Sequence, residues 1–344
     1  MSSRPPSFVM PVPQTRAGVK TTNHLLRWIV VALLIVSIIV TTAYTAISIY
    51  IATQLAYAPQ KPLYATPASL GLQFKYATFP SRIDQVQLKG WFIPGILPNG
   101  KLTSQRTIIL VHGTRANRAD KSVGLLNLSG DLARHGFAIL AFDMRGNGES
   151  PPAPLSLGYF EQRDVLGAVD FLHSGPIPYP ELGRPRIIGG YGVSMGAASL
   201  LMATAQDSAI RAVVSDCAYA DIIPILEREV PSRGHVPQSF TPGALFASFI
   251  LYGINFYAVR PVDIVASIAP RPIFFIHGTS DSYVPTSNMN VLATAARTAP
   301  DSHIQTWLVP GAGHAQSFHT AGAIYVDRIV AFYNTNLGPD TSSK

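Results

Sequence analysis

Ser194 lies in Gly192-Val193-Ser194-Met195-Gly196, after the apolar run 187–191 and before a helix-forming stretch, 197–205. Glycine two positions before and two after lets a chain turn from strand to helix around one residue. A side chain at either place would strike the neighbouring backbone. Such a turn lifts the hydroxyl above a sheet and aims the first amides of the helix at the same point, where a developing oxyanion can be held. The chemistry suggested is attack by a serine on an acyl carbon. A glycine-rich strand end carrying an incidental serine has the same pentapeptide, so partners decide between the two readings.

A serine hydroxyl needs a base to take its proton, and the base needs an acid to fix its tautomer and balance its charge. In open α/β sheets the residues that meet at one site come from loops at the carboxyl ends of strands. Two loops meet this condition. The run 273–276 leads through His277, Gly278, Thr279 and Ser280 to Asp281, and the run 306–309 leads through Pro310, Gly311, Ala312 and Gly313 to His314. Serine, aspartate and histidine then follow in the order of an elbow-type hydrolase. Asp216, at the end of another strand, is the alternative acid, and His319 is the competing base, although it is expected to start the last helix. His112 and His277 precede glycines at strand ends and are expected to brace loops. The oxyanion donors expected are the backbone N–H groups of Met195, which follows the nucleophile, and Thr114 in His112-Gly113-Thr114. An ordinary glycine turn is the plainer account of that loop.

These side chains need strands to carry them. Short apolar runs at 72–79, 86–93, 107–111, 138–142, 186–191, 212–215, 272–277 and 304–309 alternate with helical patterns at 121–135, 160–173, 195–206, 287–298 and 321–334. This alternation gives an opening pair of strands and six buried parallel ones with crossover helices. Residues 217–262 are too long for one crossover and predict a helical cap of two or three helices, broken at 231–243. Its apolar residues Ile222, Ile223, Leu226, Phe246, Phe249, Leu251, Tyr252, Phe256 and Tyr257 are expected mainly to pack the cap onto the domain; an acyl pocket is the other reading.

The motifs LVHGT from Leu110, FDMRGNGES from Phe142, GVSMG from Gly192, HGTSDSYVP from His277 and GAGH from Gly311 occur in order. Together they resemble the α/β hydrolase superfamily over about residues 72–334. The resemblance implies an α/β fold with a mostly parallel eight-stranded sheet. It also implies Ser194, Asp281 and His314 as nucleophile, acid and base, and a structural part for the loop 143–148. The chain is similar to membrane-anchored, prolyl-oligopeptidase-like and dienelactone-hydrolase-like members. It differs from the former in having no propeller-sized domain before the sheet, and from the latter in having serine at the elbow in place of cysteine.

Composition adds a membrane segment. Charged residues are 13% of the 344, and none occurs from Trp28 to Gln60. Residues 28–51 are long enough to cross a hydrocarbon layer of ~30 Å as a helix. A cleaved signal sequence is the alternative, with Ala56-Tyr57-Ala58 as its site, but the apolar segment exceeds a signal core and Pro59 would follow the cut. Arg4, Arg16, Lys20 and Arg27 precede the segment and only Lys61 closely follows it. The amino end is therefore expected in the cytoplasm and the catalytic domain outside it. The organisation expected is a disordered tail 1–27, a transmembrane helix 28–51, a linker 52–71, a hydrolase domain 72–336 and a tail 337–344. The net charge of +7 comes largely from the first tail, leaving 22 bases against 19 acids and no basic stripe for nucleic acid. Cys217 is the only cysteine, which excludes an internal disulfide and cysteine-based zinc motifs. The expectation is an esterase or thioesterase acting on a small or lipid-like ester, with no metal or organic cofactor. An amidase or peptidase with the same three residues, and a catalytically silent binding protein, are the alternatives.

Overall fold

The computed structural model describes residues 24–340 together with Arg4 and residues 6–10. The tail expected over 1–27 and the end of that expected over 337–344 lie largely outside the described residues. Residues up to Thr45 form one compact unit and those from Ala46 onward another.

Helix α1, His24–Ala56, is longer than the expected 28–51 at both ends. Residues 52–56, assigned to the linker from sequence, continue the helix, which stops short of Pro59 because the residue before a proline is driven out of helical geometry. In the second unit its last turns are part of the core: Ser48, Ile51, Ala52 and Ala56 are buried, and Leu155 N–H donates to the Ala56 carbonyl at 2.8 Å. The stretch after α1 is tied down as well, since Asn117 Nδ2 donates to the carbonyls of Lys61 and Pro62.

The strands are β1 Lys75–Pro80, β2 Gln87–Ile93, β3 Gly95–Ile96, β4 Leu102–Thr103, β5 Arg106–Val111, β6 Ala138–Asp143, β7 Ile187–Val193, β8 Ile210–Asp216, β9 Ile273–Gly278 and β10 Ile304–Val309. Eight of them form one sheet in the order β1-β2-β6-β5-β7-β8-β9-β10; β3 and β4 make a separate pair that the sequence reading did not anticipate. β1 and β2 run antiparallel, β2 meets β6 antiparallel, and β6 through β10 are parallel. The remaining helices are α2 Leu125–Arg134, α3 Glu161–Ser174, α4 Met195–Gln206, α5 Ile223–Gly234, α6 Phe240–Tyr252, α7 Pro261–Ile264, α8 Ser287–Ala296, α9 Ser317–Ala321 and α10 Ala323–Leu337.

Alternation along the central strands feeds two cores. Ile108 and Leu110 of β5 pack with Leu128 and Leu132 of α2 and with Ile329 and Tyr333 of α10. Ile109 and Val111 of the same strand pack with Val165 of α3 and Leu200 of α4 on the other side. A strand covered on both faces reads as a continuous apolar run, which is why these strands were legible.

The loop after β6 is a knot of charges. Asp143, fully buried, accepts from the Arg118 backbone N–H at 2.7 Å and pairs with the Arg118 guanidinium, which lies over the Trp91 ring. Next to it Arg145 pairs with Asp164 at 2.7 Å. Burial pushes the Asp164 carboxyl up to about 6 in spite of that arginine. Arg145 also pairs with Asp84, so removing Asp164 leaves the buried guanidinium only partly compensated, at a cost of up to about 3–5 kcal/mol. Asp164→Asn is therefore expected to lower stability at pH 7 strongly, and equilibrium denaturation measures it.

Candidate active site

Four carboxyl strand ends and one elbow build the site. β7 ends at Val193 and α4 begins at Met195, so Ser194 alone makes the turn, at φ +55° and ψ −121°. A non-glycine residue rarely holds a positive φ, and the strain persists only where surroundings fix it. Here they do: Ser194 N–H donates to the Asp216 carbonyl at the end of β8, at 2.8 Å. A Cβ on Gly192 would lie 2.6 Å from the Gly196 carbonyl, and one on Gly196 would meet the carbonyls of His112 and Val111. Gly196→Ala should therefore force α4 away from β5, lowering thermal stability and ester hydrolysis together. Wild-type values for both would mean that the elbow tolerates the methyl group.

The loop after β10 carries His314 to this hydroxyl. Ser194 Oγ–H donates to His314 Nε2 at 2.9 Å, and His314 Nδ1–H donates to Asp281 Oδ2 at 2.8 Å. The other carboxylate oxygen of Asp281 accepts from the backbone N–H of Tyr283 at 3.0 Å and of Val284 at 2.8 Å. Burial alone would push the Asp281 carboxyl up, but hydrogen bonds from His277 and His314 outweigh it and hold the group well below the ordinary carboxylate range. It is ionised wherever a neutral imidazole needs a partner. The edge of the Tyr283 ring meets the His314 ring, with centroids 4.9 Å apart, and limits its tilt.

The two rival residues are placed elsewhere. Asp216 does not reach His314: its carboxylate accepts from Ser317 Oγ at 3.0 Å and Tyr325 Oη at 2.7 Å. His319 is on the surface against the Lys121 carbonyl. His112 and His277 brace loops. His112 Nδ1–H donates to the Gly113 carbonyl while Nε2 accepts from Met144 N–H at 3.0 Å, stapling the loop after β5 to the loop after β6. His277 Nε2–H donates to the Val284 carbonyl at 2.7 Å and lies 3.3 Å from Asp281 Oδ2. Burial opposes charge on His277, yet these acceptors hold its pKa above the ordinary imidazole value.

Thr114 and Met195 line the same cavity as Ser194 and His314. Among the described residues neither backbone N–H donates to another protein group. Unpaired amides at a strand end and a helix start are suited to receive an anion. Among the described residues one group of three comes near enough to hold a metal, and it shares two members with the relay: the ligand atoms of Cys217, Asp281 and His314 lie within 4.8 Å of one another. The two latter are bonded to each other, and burial pushes the Cys217 thiol well up, so it is a neutral and weak ligand.

Asp216 also yields a pH dependence. Burial pushes its carboxyl up to about 6 against the hydrogen bonds from Tyr325 and Ser317. An unfolded aspartate titrates near ~3.9. Between the two values the folded chain holds a proton that the unfolded chain has released, so the contribution of this group to stability falls as pH rises through that window. Asp216→Asn cannot ionise. Its urea midpoint should fall less than that of the wild type between pH 4 and 7, and parallel profiles would contradict the assignment.

The cavity above Ser194 is about 780 Å³. Its walls come from the loop after β5, from Ile222 and from α5 through Ile225 and Leu226, and from α1 through Tyr50, Ile51 and Leu55. The α1 contribution was not read from the sequence; hydropathy reports that a helix is apolar, not which of its turns pack on a domain. Arg115, also in the wall, donates from its guanidinium to the Gln54 carbonyl at 3.0 Å in the last turns of α1.

A parallel sheet of this order, with an elbow serine and a helical cap, is the α/β hydrolase fold. The family model described as "alpha/beta hydrolase fold" matches residues 106–249. Among curated relatives, the uncharacterized protein YfhR of Salmonella typhi is 27% identical over 321 residues, covering 90% of this chain and 97% of its own. The uncharacterized protein YqkD of Bacillus subtilis is 27% identical over 205 residues, 58% of this chain and 61% of its own. Among solved structures, the Pyrococcus furiosus esterase Pf2001 superposes with a TM-score of 0.66 at 21% identity, covering 83% of this chain and 99% of that one. The acylaminoacyl peptidase of Pyrococcus horikoshii gives 0.57 at 16%, covering 82% of this chain and 45% of that one. The match over residues 106–249 and these neighbours agree with the sheet order in giving the chain the α/β hydrolase fold.

Proposed function

We propose that the protein is a serine hydrolase cleaving a carboxylic ester or thioester through an acyl-enzyme. The observation that carries the reading is the unbroken relay from Ser194 Oγ to His314 Nε2 at 2.9 Å and from His314 Nδ1 to Asp281 at 2.8 Å. His314 takes the hydroxyl proton as Ser194 Oγ bonds to the carbonyl carbon, and Asp281 stabilises the imidazolium. The amides of Thr114 and Met195 hold the oxyanion, each worth ~3 kcal/mol of barrier. The imidazolium then protonates the leaving alcohol or thiol. Water, deprotonated by His314, attacks the acyl carbon and releases the acid and Ser194. Ile51 and Leu55 of α1 with Ile225, Leu226 and Val230 of α5, all in the cavity wall, favour a lipophilic acyl group. Hydrolysis rates for matched p-nitrophenyl esters and p-nitroanilides of increasing chain length test this. Ester turnover rising from acetyl to longer acyl groups is expected, and turnover of anilides at ester rates would make the protein an amidase.

The same reading keeps α1 on the mature chain as a membrane anchor with the amino end in the cytoplasm and the catalytic domain outside. Its support is the basic residues before the helix and the burial of Ile51, Ala52 and Ala56 in the core. Cleavage at Ala58 would strip these from the domain together with one wall of the cavity.

A further inference from the structure

Helix α6 presents an apolar face that the domain leaves uncovered. Thr241, Ala244, Leu245, Ala247 and Ser248 pack inward, while Phe246, Phe249 and Ile250 are 66%, 52% and 62% exposed. Leu251 and, just beyond the helix, Tyr257 are exposed with them. A contiguous patch of this kind marks an interaction surface in a water-exposed domain. No Asp, Glu, Lys or Arg occurs from Gly234 to Val259.

What covers the patch is indicated by its neighbour. Tyr252, at the end of α6, shares a hydrogen bond with Thr53 of α1 at 2.9 Å, and its ring meets Tyr57 edge-on at 5.6 Å. The two charge-free stretches of the chain, 28–60 and 234–259, thus touch each other. Tyr57 at this contact, and Tyr50 and Tyr257 within a few residues of it along the chain, are exposed, and tyrosines gather at the headgroup level of a bilayer because one end of the ring is apolar and the other wet.

We propose that the outward face of α6 docks on the lipid bilayer that α1 spans, as an in-plane helix immersed to the depth of Phe246, Phe249 and Ile250. The proposal rests on the anchor reading. A second copy of the chain is the competing occupant, but it would not call for tyrosines at the rim or for contact with the anchor. Docking there holds the cavity wall of Tyr50, Ile51 and Leu55 against the lipid surface, so that an ester dissolved in the bilayer reaches Ser194 without crossing water.

The experiment uses the full chain in phosphatidylcholine vesicles, with an NBD fluorophore on a cysteine introduced as F249C or, separately, I250C. The native Cys217 is buried and unreactive. N99C, in an exposed turn, serves as the water-facing control. Nitroxide-bearing phosphatidylcholine is expected to quench the label at 249 and 250 several-fold more than at 99, and aqueous iodide several-fold less. Iodide quenching equal to that at 99 overturns the proposal. So does a label shielded from both quenchers that crosslinks between copies. Carbonate extraction of the unlabelled protein separates the two readings: release from the membrane defeats the anchor and the docking together, whereas retention with a water-facing label defeats the docking alone.

Discussion

Ser194→Ala is expected to lower kcat for p-nitrophenyl butyrate by roughly six orders of magnitude, with the protein still folded. In the proposed mechanism the hydroxyl is the attacking atom, and deleting a nucleophile that acts as a unit with its base costs nearly as much as deleting the whole set. The methyl group that remains fits the elbow, since the strain at φ +55° is borne by the backbone and the flanking glycines. Stability within about a kcal/mol of wild type, measured by denaturation, would separate lost chemistry from lost structure. A variant keeping a tenth of the rate would exclude Ser194 as nucleophile.

Asp281→Asn carries the second large effect, a loss of about 10⁴ in kcat. An amide here still satisfies Tyr283 N–H and Val284 N–H through its oxygen, but its NH₂ now faces His314 Nδ1. The imidazole responds by placing its proton on Nε2, where it can no longer accept from Ser194. The carboxylate touches the imidazole and no part of the cavity, so KM should hardly move. A loss under tenfold would mean that another acid serves His314. The carboxylate at the end of the neighbouring strand β8, Asp216, is occupied by Ser317 and Tyr325.

The proposed site residues could be read because each stands just past the carboxyl end of a strand, β7 and β9 being buried on both faces and β10 forming the exposed edge of the sheet. β7, β9 and β10 are short, and the chain offers glycine at each exit, so the run and its loop could be read without knowing the packing. The rival readings at Asp216 and His319 needed coordinates, because sequence fixes which strand a residue follows but not the direction of its side chain. Strand pairing put Asp216 above α9 and α10 in place of the cavity.

The cap marks where reading stopped. Its apolar residues were expected mainly to pack inward, and Ile222, Leu226 and Phe256 do, at 2%, 2% and 1% exposure. Phe246, Phe249, Leu251 and Tyr257 do not. α6 is apolar on nearly every side, so it has no polar face to betray which side is free. The end of α1 was hidden for the same reason. A uniformly apolar helix gives no sign that Ile51 and Ala56 belong to the core of the following domain, and only its contacts with Leu155 and Tyr252 reveal it.

The central claim is that one hydroxyl attacks the substrate, and a fluorophosphonate probe addresses it most directly. Labelling of wild-type protein, followed by peptide mass mapping, should place one adduct on Ser194, with hydrolysis of p-nitrophenyl butyrate falling in proportion to the fraction labelled. Full hydrolysis by completely labelled protein, or an adduct on any other residue, would contradict the account.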